Sequence, residues 1–276
     1  MRILVTNDDG IDSEGLHVLA RAMLPYGEVV VAAPDHEFSG ASAAIGAIHL
    51  ITPEVHRREI EGIDTCWAIS GPPALCVMFA RLGLYGDPFD LVVSGINPGA
   101  NVGRSVYHSG TIGAAITARN GGVSGIAISQ NVVGFGVEGQ GWADVIKGQR
   151  WADAAAVAQK VVEGWISDRP KDAVVINVNV PNLPVSEMKG WRRTSVGAGI
   201  PRAMAKATMQ PKEGHTNTFN VTMTWGDTIA LPPESDGGTV EAGEVSLTYL
   251  GRLNDIAHES AASVESALTN MLGVAR

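Results

Sequence analysis

The amino-acid sequence predicts an α/β protein with a doubly wound, mostly parallel sheet. Short runs rich in valine and isoleucine alternate with amphipathic stretches along the first two thirds of the chain. Strands and helices in alternation form parallel sheets that helices cover on both faces. The composition agrees with a folded globular chain, because 45% of the 276 residues are hydrophobic and only 18% are charged.

The predicted strands are the apolar runs of this part. They cover residues 3–5, 29–33, 67–69, 91–93, 125–128 and 173–180. The last run alternates valine and isoleucine with other residues, which is the period of a strand.

The predicted helices lie between these strands. The first follows a polar run at residues 12–14 and carries its apolar residues on one face. The second begins at Pro72 and Pro73, since proline fits the first turn of a helix. Two further helices are expected over residues 112–119 and 151–165.

The C-terminal part differs in composition. Residues 186–250 are rich in glycine, proline and threonine, and the segments 219–223 and 245–249 have strand character. These features predict hairpins or an extended arm rather than further βαβ units. Such an arm is poorly packed on its own, which favours an oligomer.

Two further features complete the predicted organisation. Apolar residues at helical spacing predict a terminal helix over residues 254–274, and four glycines in residues 134–141 predict a mobile surface loop. We therefore expect an α/β core over residues 1–185, followed by a β-rich arm and helix for oligomerisation over residues 186–276.

Charge and hydropathy argue against several classes of protein. The formal net charge is −9, which disfavours a nucleic-acid duplex as partner because phosphate neutralisation needs clustered lysine and arginine. No apolar stretch approaches the ~20 residues of a membrane span, so we expect no membrane partner and a cytoplasmic location. Cys66 and Cys76 lack metal-finger spacing and are expected to be free buried thiols.

Two adjacent carboxylates follow the first predicted strand, in the motif Asn7-Asp8-Asp9-Gly10. Like charges this close raise each other's pKa, and a neighbouring cation relieves that repulsion. The alternative is a pair of solvated loop aspartates. Polar motifs also follow the strands at 29–33 and 91–93, and ligands bind beyond the carboxyl ends of strands in open α/β sheets. This convergence favours a site for a divalent metal.

The candidate metal ligands are oxygen donors. Asp8 and Asp9 supply carboxylates, while the Ser39 hydroxyl and the Asn97 amide are neutral candidates. Such a set suits Mg²⁺ or Mn²⁺, whereas zinc more often takes histidine and cysteine. Taken singly, Ser39 also fits an ordinary turn serine, and Asn97 fits a loop asparagine that caps its own backbone.

A second motif is typical of an anion site. Ser109-Gly110-Thr111 precedes a predicted helix that is rich in small residues, and free backbone N–H groups at a helix start bind phosphate. A plain helix cap accounts for the same residues. The Walker pattern with its Gly-Lys pair does not occur in the sequence.

Taken together, these motifs resemble the signature of the SurE family, the survival-protein nucleotidases. The resemblance covers most of the chain and is carried by residues 7–10, 33–40, 70–73, 94–101, 109–111, 177–181 and 235–248. It implies a metal-dependent phosphatase, a 5′-nucleotidase, that hydrolyses nucleoside 5′- and 3′-monophosphates and sometimes polyphosphate. It also implies a Rossmann-like core, a C-terminal arm exchanged between subunits, and a homodimer or homotetramer.

The resemblance also assigns roles to individual residues. The implied metal ligands, of which the two aspartates also act in catalysis, are Asp8, Asp9, Ser39 and Asn97. The implied phosphate and substrate contacts are Asn7, Gly40, Asn101, Ser109, Gly110 and Thr111.

The chain departs from the family pattern in places, including His108, where the family often has tyrosine. A catalytic and a structural role of His108 both stay open. Attack by a metal-activated water and an aspartyl-phosphate intermediate are likewise alternatives.

Other protein classes fit these motifs less well. A receiver domain needs an aspartate after the third strand, where this chain has Ser70-Gly71-Pro72. A haloacid-dehalogenase phosphatase begins with Asp-x-Asp, whereas the first motif of this chain is Asn7-Asp8-Asp9-Gly10. A non-catalytic nucleotide-binding or scaffold protein is the remaining alternative, and a phosphate-release assay separates it from an enzyme.

Overall fold

The computed structural model describes residues 1–132, 142–255 and 261–273. The strands in these ranges are β1 (Arg2–Thr6), β2 (Glu28–Pro34), β3 (Val55–Ile60), β4 (Ile63–Ile69), β5 (Leu91–Pro98), β6 (Ser124–Gln130), β7 (Val175–Val180), β8 (Trp191–Arg193), β9 (Met204–Pro211), β10 (Phe219–Trp225) and β11 (Val245–Leu250). The helices are α1 (Glu14–Met23), α2 (Pro73–Arg81), α3 (Gly110–Asn120), α4 (Trp142–Val145), α5 (Trp151–Ser167), α6 (Asp236–Glu241) and α7 (Ala261–Leu272).

The central sheet has nine strands in the order β3-β4-β2-β1-β5-β6-β7-β11-β8. Strand β1 lies parallel to both β2 and β5, and β6 and β7 continue the parallel part. Strands β3 and β11 are antiparallel to their neighbours β4 and β7. The predicted doubly wound, mostly parallel α/β fold is thus confirmed.

Burial on both faces of the sheet explains why β1 is a continuous apolar run. Ile3 and Val5 pack in one core cluster with side chains of α1 and α5, whereas Leu4 packs in a second cluster with side chains of α2 and α3. Successive side chains of a strand point to opposite faces. Each face of β1 therefore needs apolar residues, and no polar alternation appears.

Strands β3, β8 and β9 were not individually predicted from the sequence, and β3 is the one of these that lies in the N-terminal part. The predicted strand at 67–69 is the end of the longer β4, and β3 precedes it at the edge of the sheet. Strand β3 has the sequence Val-His-Arg-Arg-Glu-Ile and is almost wholly exposed. Charged residues protect edge strands from pairing with other chains, so this strand carries no apolar signal.

The C-terminal part divides between the central sheet and an exposed arm. Strand β11 pairs with β7, and β8 pairs with β11, so both extend the central sheet. Strands β9 and β10 form a separate antiparallel hairpin whose side chains are nearly all exposed. Helix α7 lies within the predicted terminal helix, and the predicted loop at 134–141 falls outside the described residues. Within the described ranges, no helix is both long and apolar enough to cross a membrane.

The buried Asp236 ties the C-terminal part to the core. This residue is 1% exposed, and its carboxylate accepts hydrogen bonds from the backbone amides of Gly103, Gly197 and Gly237, each at 2.9 Å. The loop before α3, the segment after β8 and the start of α6 therefore meet at one side chain.

Replacing Asp236 with alanine is expected to lower the free energy of unfolding by about 3 kcal/mol, because three amides lose a charged acceptor. Urea denaturation followed by circular dichroism measures the change. The neighbouring Glu234 is exposed, and Glu234→Ala is expected to stay within about 0.5 kcal/mol of the parent. Equal effects of the two substitutions would contradict the role given to Asp236.

Candidate metal and phosphate site

The two motifs singled out in the sequence meet at the carboxyl end of β1. Asp8 is 3% exposed, and its carboxylate accepts a hydrogen bond from the Thr111 hydroxyl at 2.6 Å and from the Gly110 amide at 3.1 Å. The acid pair therefore lies directly against the N-terminus of α3. Because this helix end attracts negative charge, it stabilises an ionised Asp8.

Gly110 is the residue that permits this close approach. A Cβ atom at this position would lie 2.7 Å from the Cβ and 2.8 Å from Oδ2 of Asp8, which is too close for any larger residue. Ser109 caps the same helix, since its hydroxyl accepts a hydrogen bond from the Ile112 amide at 3.1 Å. The plain cap is thus present, and a phosphate contact of Ser109 stays a prediction.

The segment with Ser39 borders the acid pair. The Phe38 amide donates to the Asp8 carbonyl at 2.7 Å, and the Ser42 amide donates to the His108 carbonyl at 3.1 Å. Ser39 and Gly40 lie between these two bonds, with exposed side-chain positions. The backbone therefore brings Ser39 to the edge of the site, while its role as a metal ligand stays a prediction.

Asn97 lies near the end of β5, the strand adjacent to β1. Its amide nitrogen donates to the Gly99 carbonyl at 2.6 Å, so only its oxygen is available as a ligand atom. This bond is the loop-capping interaction named as the alternative for this residue. The geometry is compatible with either function.

Asn7 shapes the turn that presents the two aspartates. Its side chain is fully buried and donates to the Gly10 carbonyl at 3.0 Å and to the Ser13 hydroxyl at 2.6 Å. Gly10 has a φ of +101°, a conformation that side-chain-bearing residues rarely adopt. The Asn7 nitrogen is therefore used in the turn, and a substrate contact of this residue stays a prediction.

Asn101 is held by two asparagines, Asn177 and Asn179, to which the sequence analysis assigned no role. Its amide donates to Asn179 Oδ1 at 2.7 Å, and its carbonyl accepts from Asn177 Nδ2 at 2.9 Å and from Asn179 Nδ2 at 3.2 Å. Its own side chain donates to the Ser129 hydroxyl at 2.9 Å. Two asparagines at alternate positions of an apolar strand are the signal that could have revealed this clamp, because buried polar groups require partners.

Burial raises the pKa of both aspartates, and charge repulsion raises that of Asp9 further. Burial raises the pKa of Asp8, although the hydrogen bond from Thr111 opposes the shift. The pKa of Asp9 is raised to about 8 by burial first, and then by the charges of Asp8 and Glu37. A bound cation would favour the ionised form of both groups.

Several buried polar atoms in the turn after β1 and in the adjacent strand β5 lack hydrogen-bond partners in the part of the chain that the structure describes. Asp9 Oδ2, Asn7 Oδ1 and Ser94 Oγ are buried and find no hydrogen-bond partner among the described residues. Buried polar atoms without partners are uncommon in folded proteins. Within the described part of the chain no three histidine, cysteine, aspartate or glutamate side chains form a metal cluster. Two carboxylates with neutral oxygens and water therefore form the donor set that these residues offer, as a hard divalent cation prefers.

Stability in the presence of a chelator is expected to fall as the pH rises from about 4 to about 8. The unfolded chain releases the Asp9 proton near its ordinary pKa of 3.8, whereas the folded protein keeps it to about 8. A group whose folded pKa is raised stabilises the fold at low pH and loses that contribution as it ionises. Urea denaturation at pH 5 and pH 8 measures the slope, which Asp9→Asn should flatten. An unchanged slope in that variant would assign the effect to other groups.

The chain is similar to known proteins along most of its length. The family model described as Survival protein SurE matches residues 3–202. The 5′-nucleotidase SurE of Haemophilus influenzae strain PittGG is 34% identical over 252 residues, covering 90% of each chain. The 5′/3′-nucleotidase SurE of Erwinia tasmaniensis is 33% identical over 251 residues, with 91% of this chain and 90% of the relative covered. The crystal structure of the SurE protein from Aquifex aeolicus superposes with a TM-score of 0.71 at 27% identity, covering 98% of this chain and 99% of that one. The chain described here therefore belongs to the SurE family.

Proposed function

We propose that this chain is a metal-dependent phosphomonoesterase that hydrolyses nucleoside 5′- and 3′-monophosphates to nucleoside and phosphate. The observation that carries the proposal is the contact of the Asp8 carboxylate with Gly110 and Thr111. This contact holds two adjacent carboxylates against the N-terminus of α3. A cation site and an anion site would therefore lie side by side at the carboxyl edge of the sheet. The printed names of the SurE relatives support the same reaction and substrate class.

The residues at this edge fit a hard divalent ion, for which we propose Mg²⁺ or Mn²⁺. Asp8, Asp9, Ser39 and Asn97 would hold it, with the unpartnered Asp9 oxygen as one ligand atom. When bound, such an ion neutralises phosphate charge and lowers the pKa of a coordinated water.

The protein groups have separate roles in this proposal. The Ser109 hydroxyl would donate its proton to a phosphate oxygen and stabilise the charge that develops there. The Gly110 amide already donates to Asp8, so it would act by holding that carboxylate in place. Thr111 orients Asp8 through its hydroxyl, which fixes the carboxylate relative to the phosphate. Asn7, Gly40 and Asn101 would border the substrate.

Two chemical routes remain within this proposal. Asp8 or Asp9 could accept a proton from a water that attacks phosphorus as the nucleoside oxygen leaves. Alternatively, an aspartate carboxylate could displace that oxygen and form an aspartyl phosphate, which water then hydrolyses. Trapping of labelled phosphate on the protein separates these routes. The His108 side chain is exposed beside Ser109, and the activity–pH profile of His108→Ala tests it as the acid for the leaving oxygen.

The experiment that tests the function is phosphate release from a panel of nucleoside 5′- and 3′-monophosphates. The assay is run with Mn²⁺, with Mg²⁺ and with EDTA, and polyphosphate is added to the panel as a further substrate. Release that depends on the metal is expected, with the panel ranking the substrates. Failure to release phosphate from any substrate, in protein that still binds the metal, would indicate a non-catalytic nucleotide-binding role.

We also propose that the arm assembles subunits into a homodimer or homotetramer. The supporting observation is the exposure of apolar side chains on the hairpin and the terminal helix, including Met209, Phe219, Val221, Leu268 and Met271. Clusters of exposed apolar side chains are typical of protein–protein interfaces. Light scattering of the full chain measures the assembly, and a monomer at micromolar concentration would contradict the proposal.

A further inference from the structure

A pair of aromatic rings stands beside the metal and phosphate site. His36 and Phe38 have ring centroids 4.4 Å apart and ring planes tilted by 36°. Both residues belong to the segment between β2 and Ser39. We propose that this ring pair, together with the carboxylates next to it, forms a subsite for the purine base of the substrate. The inference rests on the proposed nucleotidase function and extends it to base recognition.

The backbone of this segment is anchored to the turn that carries the acid pair. The Phe38 amide donates to the Asp8 carbonyl at 2.7 Å. A Cβ added at Gly10 would lie 3.3 Å from the carbonyl carbon of His36, so the His36 backbone packs on the turn after the two aspartates. The two rings are therefore attached to the wall of the site. In a nucleoside monophosphate only the ribose separates the phosphate from the base, so a nucleotide with its phosphate at α3 would hold its base close to this segment.

The ring pair is partly open and held in place. The His36 side chain is 66% exposed, and its Nδ1 lies 2.5 Å from Oδ1 of Asp35, which fixes the plane of the imidazole. The Phe38 residue is half-buried. A nucleobase gains by stacking on such a surface, because every base has a π-face and sequence-tolerant stacking on aromatic side chains is a general mode of binding.

The charges around the rings favour a neutral base over a second phosphate. Asp35 and Glu37 flank His36 in the sequence, and the charge of Glu37 acts on Asp9. Carboxylates repel a further anion and accept hydrogen bonds from the exocyclic amino groups of adenine or guanine. A purine offers both these donors and the larger stacking surface. Polyphosphate offers neither, so it should not use this subsite.

The first test compares a substrate with a base and one without. Phe38→Leu retains an apolar side chain of similar size but removes the ring. It is expected to raise the KM for adenosine 5′-monophosphate at least about fivefold, the lower end of what base–aromatic stacking contributes, while the KM for ribose 5-phosphate stays unchanged. Phe38→Tyr retains the ring and should restore the KM for the nucleotide. Equal changes for both substrates would overturn the inference.

A matched pair of histidine variants tests the second ring. His56 on β3 is also exposed and also pairs with a nearby carboxylate, at 3.2 Å from Glu54. His36→Ala should raise the KM for the nucleotide selectively, whereas His56→Ala should leave it as in the parent. Identical behaviour of the two variants would remove His36 from the subsite.

A binding measurement separates this inference from the proposed function. Adenosine carries no phosphate, so nuclear magnetic resonance titration of the full chain in EDTA reports the base subsite alone. Binding that weakens in Phe38→Leu supports the subsite even if no phosphomonoester is hydrolysed, in which case only the proposed function fails. Metal-dependent nucleotide hydrolysis by a chain that shows no adenosine binding would support the function and overturn the subsite.

Discussion

The metal-loaded Asp8→Asn variant is expected to release phosphate from nucleoside monophosphates about a thousandfold more slowly than the parent, a change of about 4 kcal/mol in activation free energy. Asparagine has nearly the shape of aspartate but no charge. It therefore loses the negative ligand that we propose for the cation, and it loses the charge that faces the start of α3.

The fold should survive this substitution. The Asp8 side chain is buried and its pKa is raised chiefly by that burial, so a neutral side chain costs little in the absence of metal. Unchanged circular dichroism and an unchanged or higher midpoint of urea denaturation in EDTA are the expected controls. Near-normal turnover of the metal-loaded variant would contradict the assignment of Asp8.

The Gly110→Ala variant is expected to lose about a hundredfold in activity, because a displacement of about 1 Å in a catalytic group can cost that much. The new methyl group would lie 2.8 Å from Oδ2 of Asp8 and would push the carboxylate away from the helix start. Alanine favours helices over glycine. A loss of activity would therefore report displacement of the carboxylate and not unfolding of α3.

Gly164 in α5 provides the matched control. A Cβ at Gly164 meets no heavy atom within 4 Å, and the residue lies inside a helix. Gly164→Ala should raise the free energy of unfolding by about 0.5 to 1 kcal/mol and leave activity unchanged. Steady-state phosphate release and urea denaturation of both variants make the comparison. Equal activity of the two alanine variants would show that Asp8 tolerates the methyl group.

Local sequence patterns were sufficient for most of the central fold. The apolar runs that became β1, β2, β5 and β6 are buried on both faces, and such strands are recognisable because they lack polar residues. The N-terminus of α2 was recognisable because proline marks a first turn. Strand β3 was missed because an exposed edge strand needs no apolar pattern.

The C-terminal part shows the limit of such patterns. The strand character of residues 245–249 was recognised, yet the strand pairs with β7 in the central sheet and is not part of the hairpin. Pairing partners depend on the path of the chain through space, whereas strand propensity is local. The structural role of Asp236 was not predicted for the same reason, since its three amide partners come from separate segments.

The sequence by itself determined that two carboxylates follow an apolar strand and that small hydroxyl residues precede a helix. These are properties of neighbouring residues, and neighbouring residues control turns, caps and strand ends. Only the tertiary structure decided that Thr111 donates to Asp8 across 103 positions of sequence and that Phe38 binds the same residue through its backbone. The parallel order of β2, β1 and β5 brings their carboxyl ends to one edge, and that arrangement turns separate motifs into one site.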